Sequence, residues 1–501
     1  MIIQVTDMGE KFHRSLEHII RLFFEEINVY FEQRTDADLV IELSLEGERE
    51  LRAYARLIET RGDRTYEATY CRSVSCEQTD KEWRKQAKRI VSHPLLEVLE
   101  KYTGMEQPWG ILTGIRPTKL LHRKMQQKIP MEQAHQELRE EYMIRSEKVE
   151  LMQQIIDRQL AMVPDLYDVR HEVSLYIGIP FCPTKCAYCT FPAYAINGKQ
   201  GSVDSFLGGL HHEMREIGRW LKENRIGITT IYFGGGTPTS ITAEEMDMLY
   251  EEMYTSFPHM DRVREITVEA GRPDTITPEK LAVLTKWNID RISINPQSYI
   301  EETLKAIGRH HTVQETIDKF HLAREAGMNN INMDLIIGLP GEGVAEFDYT
   351  LRETEKLMPE SVTVHTLSFK RASEMTRNKD KYRVATRQEI EEMMKRAEEW
   401  TKVQGYVPYY LYRQKNILGN LENVGYAKPG QESLYNIMIM EEVQSIIGLG
   451  CGAASKWVHP VTGNISRFAN PKEPKAYNDN YKHYTQAKID TLQELFSAQK
   501  L

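Results

Sequence analysis

Cysteine is scarce in this chain, with 6 in 501 residues, which excludes the dense disulfide framework of a small secreted protein. Long apolar runs are missing as well. No stretch approaches the ~20 residues that cross a bilayer as a helix, and the opening MIIQVTDMGEKFHRSLEHII lacks the basic, apolar and small-residue succession of a signal peptide. A cytoplasmic location without membrane attachment is therefore expected. Basic charge is not in excess either: 64 Lys and Arg stand against 73 Asp and Glu, a formal charge of −9. That balance argues against a surface built as a whole to grip nucleic acid, so no nucleic-acid partner is expected. What remains, 41% hydrophobic and 27% charged residues, is the composition of a globular chain with a core of its own. At roughly 100–200 residues per domain, the length predicts about two to four domains.

Three segments differ in pattern. Residues 1–165 contain ADLVIELSLEG, ELRAYARLIET and TYEATYCRSV, which read as an antiparallel meander, followed by helical stretches such as DKEWRKQAKRIVSHPLLEVLEKY. An N-terminal α+β domain is expected there. Residues 166–405 alternate short β-branched runs with amphipathic stretches, the pattern of βα units feeding a parallel sheet. Six strands are read: VSLYIGI (173–179), TTIYFG (229–234), EITVEA (265–270), DRISIN (290–295), NINMDLIIG (330–338) and SVTVHTL (361–367). A closed eight-unit barrel takes ~250 residues, so this α/β region is expected to be a partial (β/α)6 TIM-like barrel. Residues 406–501, with GYVPYYLYRQKN and the glycine-rich IIGLGCGAASKW, are expected to form a C-terminal cap.

The six cysteines are unevenly placed. Cys182, Cys186 and Cys189 fall within IPFCPTKCAYC, just after the first of these strands, at the strand end where parallel barrels keep their chemistry. Three thiolates are one short of a closed tetrahedral site. A zinc site would need a fourth ligand, for which His211 or His212 could be recruited; a [4Fe–4S] cluster on three thiolates would leave one iron open. Cys71 and Cys76 have no Cys or His cluster near them in sequence and read as unremarkable thiols, and Cys451 has no evident role beyond packing. A second motif, GGGTPT at 234–239, follows the second strand, where glycines let a backbone pass close to a ligand.

The C-x3-C-x2-C spacing, with aromatic Tyr188 before the last cysteine, resembles the radical S-adenosylmethionine (SAM) enzymes. The resemblance implies a [4Fe–4S] cluster on Cys182, Cys186 and Cys189, with SAM chelating the open iron. It further implies that Gly235, Gly236 and Thr237 receive the cofactor's amino group and that Glu269 helps to hold it. Gln297, Arg309 and Asp334 match residues that hold the ribose, the carboxylate and neighbouring groups. Tyr176 matches a carboxylate ligand, and Tyr188, Ser368 and Ala454 occupy positions lining the same pocket. Taken singly, each of these has a structural reading; their shared order, one per strand end, favours a common ligand.

Over roughly residues 170–475 the motifs are similar to those of the oxygen-independent coproporphyrinogen III oxidase family. That implies oxidative decarboxylation of two propionates of coproporphyrinogen III to vinyl groups, giving protoporphyrinogen IX, in anaerobic haem synthesis. A porphyrinogen substrate and a flavodoxin or ferredoxin type electron donor follow as partners, and a monomer is expected. Lys370, Arg371, Arg413 and Lys415 are candidate propionate clamps, since guanidinium groups fit carboxylates. The long N-terminal extension departs from the family pattern and carries the basic stretch WGILTGIRPTKLLHRK (109–124). Two alternatives stay open. The haem chaperones related to this family carry an H-N-x-x-Y-W motif where this chain reads YNIMIM (435–440), without the histidine; a radical SAM modifier or methyltransferase of another substrate is the other reading.

Overall fold

The structure, a computed structural model, describes residues 1–6, 8–24, 26–74, 79–114, 116–191, 193–196, 202–368, 373–377, 382–414 and 420–497. It divides into two compact units, Met1–Gln153 and Gln154–Leu501. In the first, β1 (Ile2–Val5), β2 (Asn28–Tyr30), β3 (Leu39–Glu46), β4 (Glu50–Glu59) and β5 (Thr65–Ser73) form one sheet in the order β2-β1-β3-β4-β5. The strands β3, β4 and β5 are the antiparallel meander read from the alternating pattern. The strands β1 and β2 pair in parallel fashion and escaped that reading because each is too short to show a period. The helix Asp80–Thr103 covers β4 and β5; it opens on a capping box between Thr79 and Glu82 and ends on Gly104 at φ 68°.

The second unit is built on β6 (Val173–Ile179), β7 (Phe181–Cys182), β8 (Tyr194–Ala195), β9 (Ile228–Gly235), β10 (Glu265–Val268), β11 (Arg291–Ser293), β12 (Ile331–Ile337) and β13 (Ser361–Thr366). It is completed by β14 (Val407–Tyr412), β15 (Asn423–Ala427), β16 (Ser445–Gly450), β17 (Ala454–Val458) and β18 (Ile465–Ala469). The six expected strands are β6, β9, β10, β11, β12 and β13, each within a residue of its expected span or inside it. Neighbours among them are parallel. Helices cover the faces of a parallel sheet, so its strands are buried on both sides; β10, for example, is buried at every position, Glu265 and Thr267 included. The crossover helices open as the sequence suggests, with Ser202, Thr242, Thr277 and Thr312 accepting from the third residue of their helices.

The large sheet runs β14-β15-β13-β12-β11-β10-β9-β6-β16-β17-β18 and does not close, so the α/β partial barrel is an open one. Residues after 406 join it at both ends. β15 pairs antiparallel with β13, while β16 pairs in parallel with β6 and adds a seventh parallel strand. Glycine permits that junction: a Cβ on Gly450, at φ +84°, would lie 2.4 Å from the Gly178 carbonyl oxygen. A buried ion pair between Lys488 and Glu213 ties the last helix to the helix Val203–Asn224, with Asn470, Tyr477 and the Gly450 amide on the same carboxylate. Among the described residues no helix is long and apolar enough to cross a membrane.

Candidate active site

The cysteine loop leaves β6 at the sheet's C-terminal edge. Its ends are closed by the short β7–β8 ladder, which pairs Cys182 with Ala195. Its middle is pinned by the Ala187 amide donating to the Ile307 carbonyl at 2.9 Å and by the Met375 amide donating to the Ala187 carbonyl at 3.2 Å. All three thiols are half-buried, and no disulfide joins any two of them. Cys182 Sγ lies 3.2 Å from Thr237 Oγ1, and burial pushes its thiol up to about 11 despite that contact, with Cys189 and Cys186 adding to the rise.

The glycine motif lies directly against this loop. The Gly236 amide donates to the Ile179 carbonyl and the Thr237 amide to the Phe181 carbonyl, each at 2.7 Å. A Cβ on Gly236 would stand 2.5 Å from Phe181 O, and Gly235 sits at φ +108°. Only glycine permits so close a pass of two backbones.

The remaining strand ends complete a cavity of about 570 Å³. It is bordered by Cys182, Cys186 and Cys189, by Gly235, Gly236 and Thr237, and by Glu269, Gln297, Arg309 and Asp334. Tyr176, Tyr188, Ser368 and Ala454 border it too, so every cluster and cofactor position read from the sequence faces one space. Glu269 accepts from Tyr232 Oη at 2.5 Å, yet burial, with the Asp334 carboxylate nearby, pushes its carboxyl up to about 7. Asp334 accepts from Asn295 at 2.9 Å and Asn332 at 2.8 Å and lies 3.6 Å from His365; against the effect of burial, His365, with Asn332 and the Arg309 charge, holds it below the usual carboxylate range. Burial alone would lower the Arg309 guanidinium, but Tyr188 and Cys186 beside it raise it further.

Several cavity residues were missed by sequence reasoning. Tyr232 and Tyr435 stack with the expected Tyr176 as an aromatic wall, the Tyr232 and Tyr435 ring centres 4.4 Å apart. His365 is held between Asp334 and Tyr412, whose hydroxyl is 3.3 Å from Nδ1. The signal for Tyr232 was its place two residues before the glycine motif; His365 lay within a recognised strand but carried no motif. Gln297 adopts φ +65°, a left-handed conformation unusual for a side chain of its size.

Other candidates fall elsewhere. His211 faces Glu252 at 3.9 Å and His212 packs on Tyr481, so neither joins the cysteines as a fourth ligand. Arg413 is buried and donates to Asn420 Oδ1 at 2.6 Å, with burial lowering its guanidinium to about 10; it does not border the cavity, and the expected clamp is corrected on that ground. Lys370, Arg371, Lys415 and Cys76 lie outside the described residues. Cys71 is exposed on β5. Cys451 does border the cavity, its thiol directed at the Pro471 and Lys472 carbonyls at 3.3 and 3.2 Å.

The donor set fits a cluster and a polar cofactor. Among the described residues no three Cys, His, Asp or Glu groups converge on a single metal ion, but a four-iron cluster takes each thiolate on its own iron and needs no common point. Beside the cysteines, Ser293 Oγ, Gln297 Oε1, Arg309 Nε and Tyr435 Oη are buried without a partner. Such groups are costly unless a ligand satisfies them.

Residues 176–354 match the family model of the Radical SAM superfamily. The chain is 64% identical over 487 residues to the oxygen-independent coproporphyrinogen-III oxidase-like protein HemZ of Bacillus subtilis (strain 168), covering 97% of each chain. It is 30% identical over 330 residues to the heme chaperone HemW of the same organism, covering 64% of this chain and 82% of that one. In fold it matches the solved coproporphyrinogen III oxidase HemN from Escherichia coli, a radical SAM enzyme, with a TM-score of 0.51 and 21% identity, covering 66% of this chain and 73% of that one. The chain belongs to the radical SAM superfamily, among its oxygen-independent coproporphyrinogen-III oxidase-like proteins. Its cofactors are those of the superfamily, a [4Fe–4S] cluster and SAM.

Proposed function

We propose that this protein catalyses the oxygen-independent oxidative decarboxylation of coproporphyrinogen III to protoporphyrinogen IX. The observation that carries the reading is the convergence of the three cysteines, Gly235 to Thr237, Glu269, Gln297, Arg309 and Asp334 on one cavity. The relative that matches almost the whole chain bears an oxidase-like name, which supports it. Cys182, Cys186 and Cys189 hold the cluster, and the Gly235–Thr237 backbone with Glu269 receives the amino end of SAM. Gln297 takes the ribose, Arg309 the carboxylate and Asp334 the groups beside them. When bound, reduced cluster and SAM would supply radical chemistry able to take a hydrogen from an unactivated carbon.

The chain's own part is to orient and to keep water out. The Tyr176, Tyr232 and Tyr435 wall offers a flat apolar face to a macrocycle. His365, Gln414 and Asn436 border the same cavity and can donate to substrate carboxylates. A flavodoxin or ferredoxin type protein is the electron donor in this scheme. Tyr435 stands where the chaperone motif has its histidine, so haem capture through that residue type is not the favoured reading. The test is an anaerobic assay with reconstituted cluster, a one-electron reductant, SAM and coproporphyrinogen III. Protoporphyrinogen is expected; deoxyadenosine released without a vinyl product would overturn the substrate assignment.

A further inference from the structure

Arg272 lies three residues beyond Glu269, where β10 leads into the one-turn helix Pro273–Thr275. Only 3% of it is exposed, and its guanidinium is used on two sides. Nε and Nη2 donate to the two oxygens of Asp274 at 3.0 and 2.8 Å. In the other direction Nη1 donates to Thr184 O at 3.2 Å, to Thr184 Oγ1 at 3.1 Å and to Cys186 Sγ at 3.9 Å. A planar fork can face a carboxylate and a thiolate at once, which a point-charge ammonium cannot. Arg309, also buried, lies beside the same cysteine but donates to the Gly271 and Asn295 carbonyls. Cys182, in contrast, meets the neutral hydroxyl of Thr237.

We infer that Arg272, held from behind by Asp274, sets the reduction potential of the [4Fe–4S] cluster through the Cys186 thiolate. Cluster potentials respond to hydrogen bonds at the sulfurs and to nearby charge, and outer partners of ligands tune the metal they never touch. The guanidinium at the sulfur favours the more negative, reduced cluster. The Asp274 carboxylate, on the far side of the guanidinium, offsets part of that charge, so the two residues pull the potential in opposite directions. Arg272 is thus a positioning and tuning residue for the 184–186 loop. The inference rests on the ligand assignment proposed above.

The test uses full-length protein with reconstituted cluster and no SAM, titrated anaerobically with redox dyes while the reduced cluster is followed by electron paramagnetic resonance. Iron content per chain reports loading. Arg272→Gln is expected to shift the reduction equilibrium about tenfold toward the oxidised cluster, about 59 mV for one electron. Asp274→Asn is expected to shift it the other way. Unmoved potentials in fully loaded variants would overturn the inference. If Arg272→Gln fails to load, Asp274→Asn decides alone: an upward shift supports tuning, and an unchanged potential leaves Arg272 a purely structural pin and refutes it. Cys186→Ala retaining full iron and full cluster absorbance would instead refute the ligand assignment, whatever the potentials of the other two.

Discussion

Glu269→Gln separates two effects that one raised carboxyl produces with opposite signs. Burial in the cavity, with Asp334 nearby, lifts Glu269 from its ordinary 4.5 to about 7 in spite of the hydrogen bond from Tyr232. A rise of that size corresponds to about 3 kcal/mol. Because the folded pKa is the higher one, the stabilisation is fully present below about 4.5 and is lost as pH climbs through about 7. The protein without SAM should therefore lose up to about 3 kcal/mol of stability across that window from this group alone. SAM binding should run the other way, since its sulfonium charge and amine N–H donors favour the ionised carboxylate, and its affinity should rise about tenfold from pH 6 to pH 7.5. Glu342 is likewise pushed up to about 7 by burial, so the wild-type slope alone is not diagnostic. The difference between wild type and Glu269→Gln isolates the group. Urea unfolding at pH 5 and 8, and calorimetric SAM titration of the cluster-loaded protein at pH 6 and 7.5, measure the two slopes. A variant that keeps the wild-type pH dependence in both would refute this account of the site.

Gly236→Ala forces a methyl onto the Phe181 carbonyl, and backbone cannot yield as a side chain end can; a loss of about 1–3 kcal/mol in urea unfolding and of SAM binding by calorimetry is expected. Lys488→Met leaves the buried Glu213 carboxylate without its counter-ion, at an expected cost of about 3–5 kcal/mol in the same unfolding assay. Gln297→Gly relieves a left-handed side-chain residue and should leave stability unchanged or higher by about 1 kcal/mol. The same substitution should weaken SAM, because the lost amide oxygen has no partner within the protein.

The central strands were legible because βα alternation repeats locally, and the residues that border the cavity because each lies within a few positions of a recognisable strand end. Contacts across the chain were not. Arg272 meets Cys186 over 86 residues, and nothing near RPDT in sequence announces a cysteine. His365 reaches Asp334 from the neighbouring strand, a pairing that depends on strand register and not on spacing. SIIGLG read as part of a cap because glycines depress any strand signal. Those glycines are what allow β16 to lie against β6 and β17 so closely: a Cβ on Gly448 would stand 2.8 Å from Ala454 backbone.

The pairing of β16 with β6 also orders events during synthesis. One edge of β6, the strand that feeds the cysteine loop, waits for residues 445–450, so it stays uncovered until most of the chain has left the ribosome. An uncovered edge is a template for wrong pairing, and a chain stopped before residue 445 should aggregate even though every cysteine, glycine and carboxylate of the proposed site has already been made. Such a truncated chain is expected to hold less iron after reconstitution than the full-length protein, since the strand that feeds its cysteine loop lacks one neighbour.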